Sequence, residues 1–142
     1  MTLVFDSKYD LQYTISASQF ISYDSSSIVY FDTLVYDNNP GGFDTTTYTY
    51  TVPETGVYEI NVDITTDYFY PAALYILVNS NNVLLSTLSD PEYTSSSACI
   101  NGKTNLLLTL GDTITANIQT QIGSGNLLSG VYNSRFSITS HF

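Results

Sequence analysis

The amino-acid sequence predicts an all-β protein, a sandwich of the jelly-roll type with roughly nine or ten short strands and almost no helix. Three observations carry this prediction. Short segments alternate apolar and polar residues with period two. Turn residues separate those segments at regular spacing. Thr and Tyr, which suit strands, are plentiful, while the helix formers Ala and Glu are scarce.

Taken in order, Ile28 to Tyr36 reads as a strand apolar on both faces, with Ile28, Tyr30, Leu34 and Tyr36 on one side and Val29, Phe31 and Val35 on the other. Asn38-Asn39-Pro40-Gly41-Gly42 is a loop. Tyr48 and Tyr50 then alternate with Thr47, Thr49 and Thr51. Pro53-Glu54-Thr55-Gly56 is a tight connection, because Pro cannot donate to a ladder and Gly tolerates the turn. Val57 to Thr66 is the clearest strand, with Tyr58, Ile60, Val62 and Ile64 against Glu59, Asn61 and Asp63. Leu74 to Val78 and Val83 to Leu88 form a hairpin about Asn79-Ser80-Asn81-Asn82. Asn101-Gly102-Lys103 reads as a hairpin turn or a bulge. Leu106 to Leu110 is again apolar on both faces, and Gly111-Asp112 separates it from the alternating Thr113 to Ile122. Gly123 to Asn126 is a loop tip. Arg135 to Phe142 closes the chain with Phe136, Ile138 and Phe142 on one face. A two-layer sandwich buries one face of each strand, so strands apolar on both faces need a second cover. Another subunit supplies it most simply; the alternative is loops such as residues 1–16. Those residues form an N-terminal arm or a first strand, and residues 17–142 the jelly-roll head.

At 142 residues the chain is one domain, long enough to bury a core. Its net charge of −10 sets 13 Asp and Glu against Lys8, Lys103 and Arg135. That excludes nucleic acid, which needs clustered Lys and Arg, and anionic membrane surfaces. The apolar stretch around Leu74 to Val78 is too short for membrane insertion. The start, Met-Thr-Leu-Val-Phe-Asp, has neither the basic residues nor the apolar run of a signal peptide. Cys99 is the lone cysteine, so no intrachain disulfide forms, and its neighbours Ala98 and Ile100 predict a buried small hydrophobe.

Catalytic groups are missing. His141 is the lone histidine, next to the last residue. There is no nucleophile elbow, phosphate loop, zinc spacing or outstanding carboxylate pair. Two candidate sites remain. Asp37, Asn38, Asn39 and Asp44 place oxygen donors around a Gly-rich turn, as calcium prefers; the alternative is a plain polar turn. Tyr68, Phe69 and Tyr70, with Tyr93 in another loop, cannot all face inward. They are candidates for binding a protein or carbohydrate, or for packing against a neighbouring subunit.

Several segments together carry a family resemblance: Phe31-Asp32, Gly42-Phe43-Asp44, Tyr50-Thr51-Val52-Pro53 running through Gly56 into Val57-Tyr58, then Leu106–Leu110 with Gly111-Asp112, and the closing strand around Phe136. Over about residues 17–142 the chain resembles the globular head of complement component 1q, in the tumour-necrosis-factor-like superfamily. The resemblance implies a ten-stranded jelly-roll sandwich, a tight homotrimer about a three-fold axis, and a binding role without enzymatic activity. Within it, Tyr30, Phe31, Tyr58, Tyr75, Leu77, Leu107, Phe136 and Phe142 are expected in the core or the trimer interface. No collagen-like stalk precedes the head, Ile138 stands where many members have Gly, and no family calcium or receptor motif can be placed. Stalkless heads without a signal look like microbial or viral surface proteins. The expected function is a homotrimeric recognition or adhesion head for a protein or glycan, outside the cell or on a particle surface. The alternatives are a structural subunit of a virion, spore coat or filament, with residues 1–16 as the arm, and a carbohydrate-binding module.

Overall fold

The computed structural model describes residues 7–22, 26–67, 72–87, 98–120, 125–130 and 132–142. Among them are thirteen strands and no helix: β1 (Asp10–Thr14), β2 (Gln19–Ile21), β3 (Ser26–Ile28), β4 (Thr33–Asp37), β5 (Phe43–Asp44), β6 (Thr49–Thr51), β7 (Gly56–Asp67), β8 (Ala72–Val78), β9 (Asn81–Thr87), β10 (Ala98–Leu108), β11 (Thr113–Thr120), β12 (Gly125–Leu127) and β13 (Arg135–Ser140). They form two antiparallel sheets. The first runs β2-β12-β7-β13-β1-β4, with β10 along the other side of β7. The second runs β5-β6-β11-β8-β9, with β3 also on β11.

The alternating segments become the facing layers. Tyr58, Ile60, Val62 and Ile64 of β7 and Phe136 and Ile138 of β13 are buried, as are Leu74 and Ile76 of β8 and Ile114, Ala116 and Ile118 of β11. Burial of each large side chain stabilises the fold by about 1.5–3 kcal/mol. One end of the core is aromatic: Tyr13 stacks on Phe43 at 4.3 Å, and Phe43 and Phe31 lie 5.5 and 5.4 Å from Phe136. The β8–β9 hairpin turns on Asn79 and Ser80, both with positive φ, the requirement of the tight turn that matches strand twist.

The structure corrects five readings of the sequence. Ile28 to Tyr36 is not one strand: β3 pairs with β11 in the second sheet and β4 with β1 in the first, and the chain crosses the sandwich between them. Val29 and Phe31 are buried in that crossing, while Tyr30, Leu34, Val35 and Tyr36 are exposed, so part of the two-sided apolar pattern there marks a change of sheet. Tyr48 does not alternate with Tyr50 in a strand; it sits in the β5–β6 turn with φ +57°. Gly102 is neither turn nor bulge but lies inside β10 facing the core, where a Cβ would come within 2.8 Å of Leu84 Cδ2. Cys99 is exposed, because β10 turns Ile100 inward and Cys99 outward with Asn101 and Lys103. Phe142 lies beyond the last strand and folds back over Gly56 and Tyr58.

Residues 10–14 are β1, which lies between β13 and β4 in the first sheet. Edge strand β4 carries a register shift against β1, a bulge that blunts it against further pairing.

Candidate functional site

The outward face of the first sheet concentrates the chain's basic groups. Period-two alternation turns Val57, Glu59, Asn61 and Asp63 of β7 away from the core. Register then sets Asn105 and Thr139 beside Glu59, Lys103 and Ser137 beside Asn61, and Asn101 and Arg135 beside Asp63. Lys103 Nζ reaches Glu59 Oε1 at 3.2 Å, and His141 Nε2 lies 3.3 Å from Glu59 Oε2. Arg135 Nη2 donates to Asp63 Oδ2 at 3.0 Å, and Asn101 Nδ2 donates to Asp63 Oδ1 at 2.6 Å and to Asn61 Oδ1 at 2.8 Å. The hydrogen bond from Lys103 is the main cause holding the Glu59 carboxyl below its ordinary range, with the charge of Lys103 and contact with His141 adding to it against a smaller opposing effect of burial.

Two of the chain's three Lys and Arg residues, and its single histidine, therefore sit on one face opposite β7 carboxylates, although the chain carries −10 overall. At one end the face turns apolar. Leu107, 75% exposed, pairs with exposed Val57, and Leu110, 64% exposed, follows, its backbone N–H donating to Thr55 Oγ1. Phe142 lies on the other face of β7, over Gly56 and Tyr58.

The residues singled out in the sequence distribute as follows. Phe31, Tyr58 and Phe136 are fully buried in the core. The Tyr58 hydroxyl donates to the Glu54 carbonyl at 2.7 Å, and burial pushes its phenol up to about 12. Tyr75 and Leu77 are half-buried on the outward face of the second sheet, where Tyr75 donates to Gln119 Oε1. Leu107 is exposed on the first sheet, and Tyr30 is 43% exposed at the crossing. Phe142 packs edge-on against Tyr58 and Tyr9.

Asp37 and Asp44 each serve a turn. Asp37 accepts from Tyr13 Oη at 2.8 Å and from the Asn39 backbone N–H at 2.9 Å. Burial first, then Asp37, pushes the Tyr13 phenol up and keeps it a donor. Asp44 Oδ1 accepts from the Thr46 N–H and hydroxyl and from the Thr47 N–H, which holds its carboxyl low. Among the described residues no group of three or more His, Cys, Asp or Glu is gathered as a metal site. Tyr68, Phe69, Tyr70 and Tyr93 lie outside the described residues. No helix among the described residues is long and apolar enough to cross a membrane.

Sequence reading missed the ladder of ion pairs on the first sheet. The alternation of Glu59, Asn61 and Asp63 was visible, but their partners come from strands 38 or more residues away, and only register brings them together.

Comparison with solved structures agrees with the fold. The globular domain of zebrafish complement 1qA is 18% identical, with a TM-score of 0.72 over 95% of this chain and 98% of that one. Murine APRIL is 13% identical, with a TM-score of 0.70 over 94% and 98%. The Eiger TNF of S. frugiperda is 16% identical, with a TM-score of 0.68 over 94% and 91%. Comparison with curated proteins gives no match. The family model of the C1q domain matches residues 13–142, nearly the whole chain and the whole of both sheets but for the start of β1, and the protein therefore belongs to the C1q domain family.

Proposed function

We propose that this domain is a homotrimeric recognition head that binds a protein or glycan partner outside the cell. C1q and tumour-necrosis-factor-like domains are generally non-enzymatic recognition modules, typically extracellular and typically homotrimeric. The observation that carries the reading for this chain is the outward face of the first sheet. Three copies at −10 each repel one another, and they approach at least cost through a face whose charges are already matched. Glu59 with Lys103 and Asp63 with Arg135 provide that match, and Leu107, Val57 and Leu110 provide exposed apolar area. An exposed cluster of this kind is the usual mark of a protein interface.

The test is mass in solution. Light scattering of the intact protein should give three times the 15.7 kDa chain mass. Leu107→Asp, which sets a charge in the apolar end of the face, should give a monomer with an unchanged β-sheet circular dichroism spectrum. A wild-type protein that is a monodisperse monomer refutes the trimer.

A further inference from the structure

The β5–β6 turn holds a feature that neither the core nor the first-sheet face uses. Phe43 and Asp44 pair with Tyr50 and Thr49, so the chain reverses over residues 45–48. Tyr48 occupies the last position of that turn with φ +57°, the left-handed region that favours glycine. The other described non-glycine residues with positive φ are Asn79 and Ser80, which suit a hairpin turn. A bulky aromatic does not. Its ring lies against Tyr30, which projects from the crossing between the two sheets, with centroids 4.7 Å apart and planes 26° from parallel. Tyr30 remains 43% exposed.

The hydroxyls set this pair apart from most of the described tyrosines, although those of buried Tyr50 and exposed Tyr132 likewise make no hydrogen bond to a described residue. Those of Tyr9, Tyr13, Tyr36, Tyr58 and Tyr75 each donate to a protein acceptor. Those of Tyr30 and Tyr48 make no hydrogen bond to a described residue. Backbone strain retained to present a partly exposed ring pair, with both polar tips unengaged, is the arrangement of a ligand platform.

We infer that Tyr30 and Tyr48 form a carbohydrate-binding platform that stacks a neutral sugar ring and hydrogen-bonds its hydroxyl groups. Aromatic faces attract the C–H face of a pyranose, and the neighbouring Thr45, Thr46 and Thr47 are exposed uncharged hydroxyls. Asp32 and Asp44, exposed in the same two segments, carry negative charge that disfavours sialylated or sulfated glycans relative to neutral ones. This site gives the recognition reading its ligand class and rests on that reading only in taking the domain to be a binder.

The experiment is an array of neutral, sialylated and sulfated oligosaccharides probed with the wild-type protein. The best neutral ligand is then titrated calorimetrically into Tyr30→Ala, Tyr48→Gly and Tyr48→Phe. Thermal midpoints and light scattering are recorded for each variant. The expected result is selective binding of neutral glycans, weakened about tenfold or more by Tyr30→Ala and Tyr48→Gly. Tyr48→Phe keeps the ring and removes only the hydroxyl, so it should weaken binding roughly 2- to 10-fold at an unchanged midpoint. Tyr48→Gly should leave the midpoint equal or higher, since it relieves the backbone, and leave the oligomeric state unchanged. No neutral glycan bound, binding that survives Tyr48→Gly, or a change of oligomeric state in Tyr48→Gly overturns the platform. A trimer that binds no glycan overturns this site alone and leaves the assembly reading standing.

Discussion

Tyr48 and Ile60 show two different uses of a large side chain. A non-glycine residue in the left-handed region costs about 1–2 kcal/mol, and an aromatic pair returns about 0.5–1.5 kcal/mol, so Tyr48 adds nothing clear to stability. Ile60 is fully buried in mid-β7, between β10 and β13. Replacing Ile60 by Ala should lower the unfolding free energy by about 2–5 kcal/mol, read from urea denaturation, because the rigid sheets on either side cannot close the cavity. The alternation of Tyr58, Ile60, Val62 and Ile64 made Ile60 legible in the sequence. The same alternation misread Tyr48, since a period of two follows side-chain direction in a strand and is blind to the sign of φ in a turn. Cys99 was misread for a related reason: its apolar neighbours say nothing of which face β10 turns inward.

At the scale of elements, β7 organises the first sheet, since β10, β12 and β13 all pair with it. Its link to β10 and β13 is partly ionic. The depressed Glu59 carboxyl stabilises the fold fully above its ordinary value of 4.5, and that contribution disappears as pH falls through the lower folded-state value. Glu54, held low by hydrogen bonds from Lys8 and Tyr9, acts in the same direction. The urea midpoint should therefore be flat from neutral pH to about 5 and fall below about 4, the ordinary range of carboxylates. A midpoint that rises on acidification would contradict these pairings. The first strand has a sharper consequence. Because β1 lies between β4 and β13, and Thr14 Oγ1 donates to the buried Ser134 carbonyl, deletion of residues 1–16 removes an interior strand. The truncated chain should lose dispersed amide signals in its NMR spectrum; a well-folded product would show that β4 can close directly on β13.

For the whole molecule, charge bears on the assembly proposed above. Matched pairs on the first sheet leave the rest of the surface strongly acidic, so the net −10 opposes association of copies at low ionic strength. Raising salt from ~10 to ~150 mM shortens the screening length from about 30 to about 8 Å. The proposed trimer should tighten over that interval in sedimentation equilibrium. Weakening instead would mean that attractive charges across subunits dominate the interface.

The sequence by itself determined the fold class, most strand positions and the family. These depend on local pattern: period two, turn residues, and the Pro53-to-Tyr58 segment carried within a few neighbouring positions. Tertiary structure alone decided where the chain leaves one sheet for the other at Val29 to Asp32, which carboxylates meet Lys103, Arg135 and His141, and why Tyr48 is held against Tyr30. Each of these joins residues far apart in the chain, and in an antiparallel sandwich such pairs are set by register and by the packing of two layers, neither of which a strand encodes on its own.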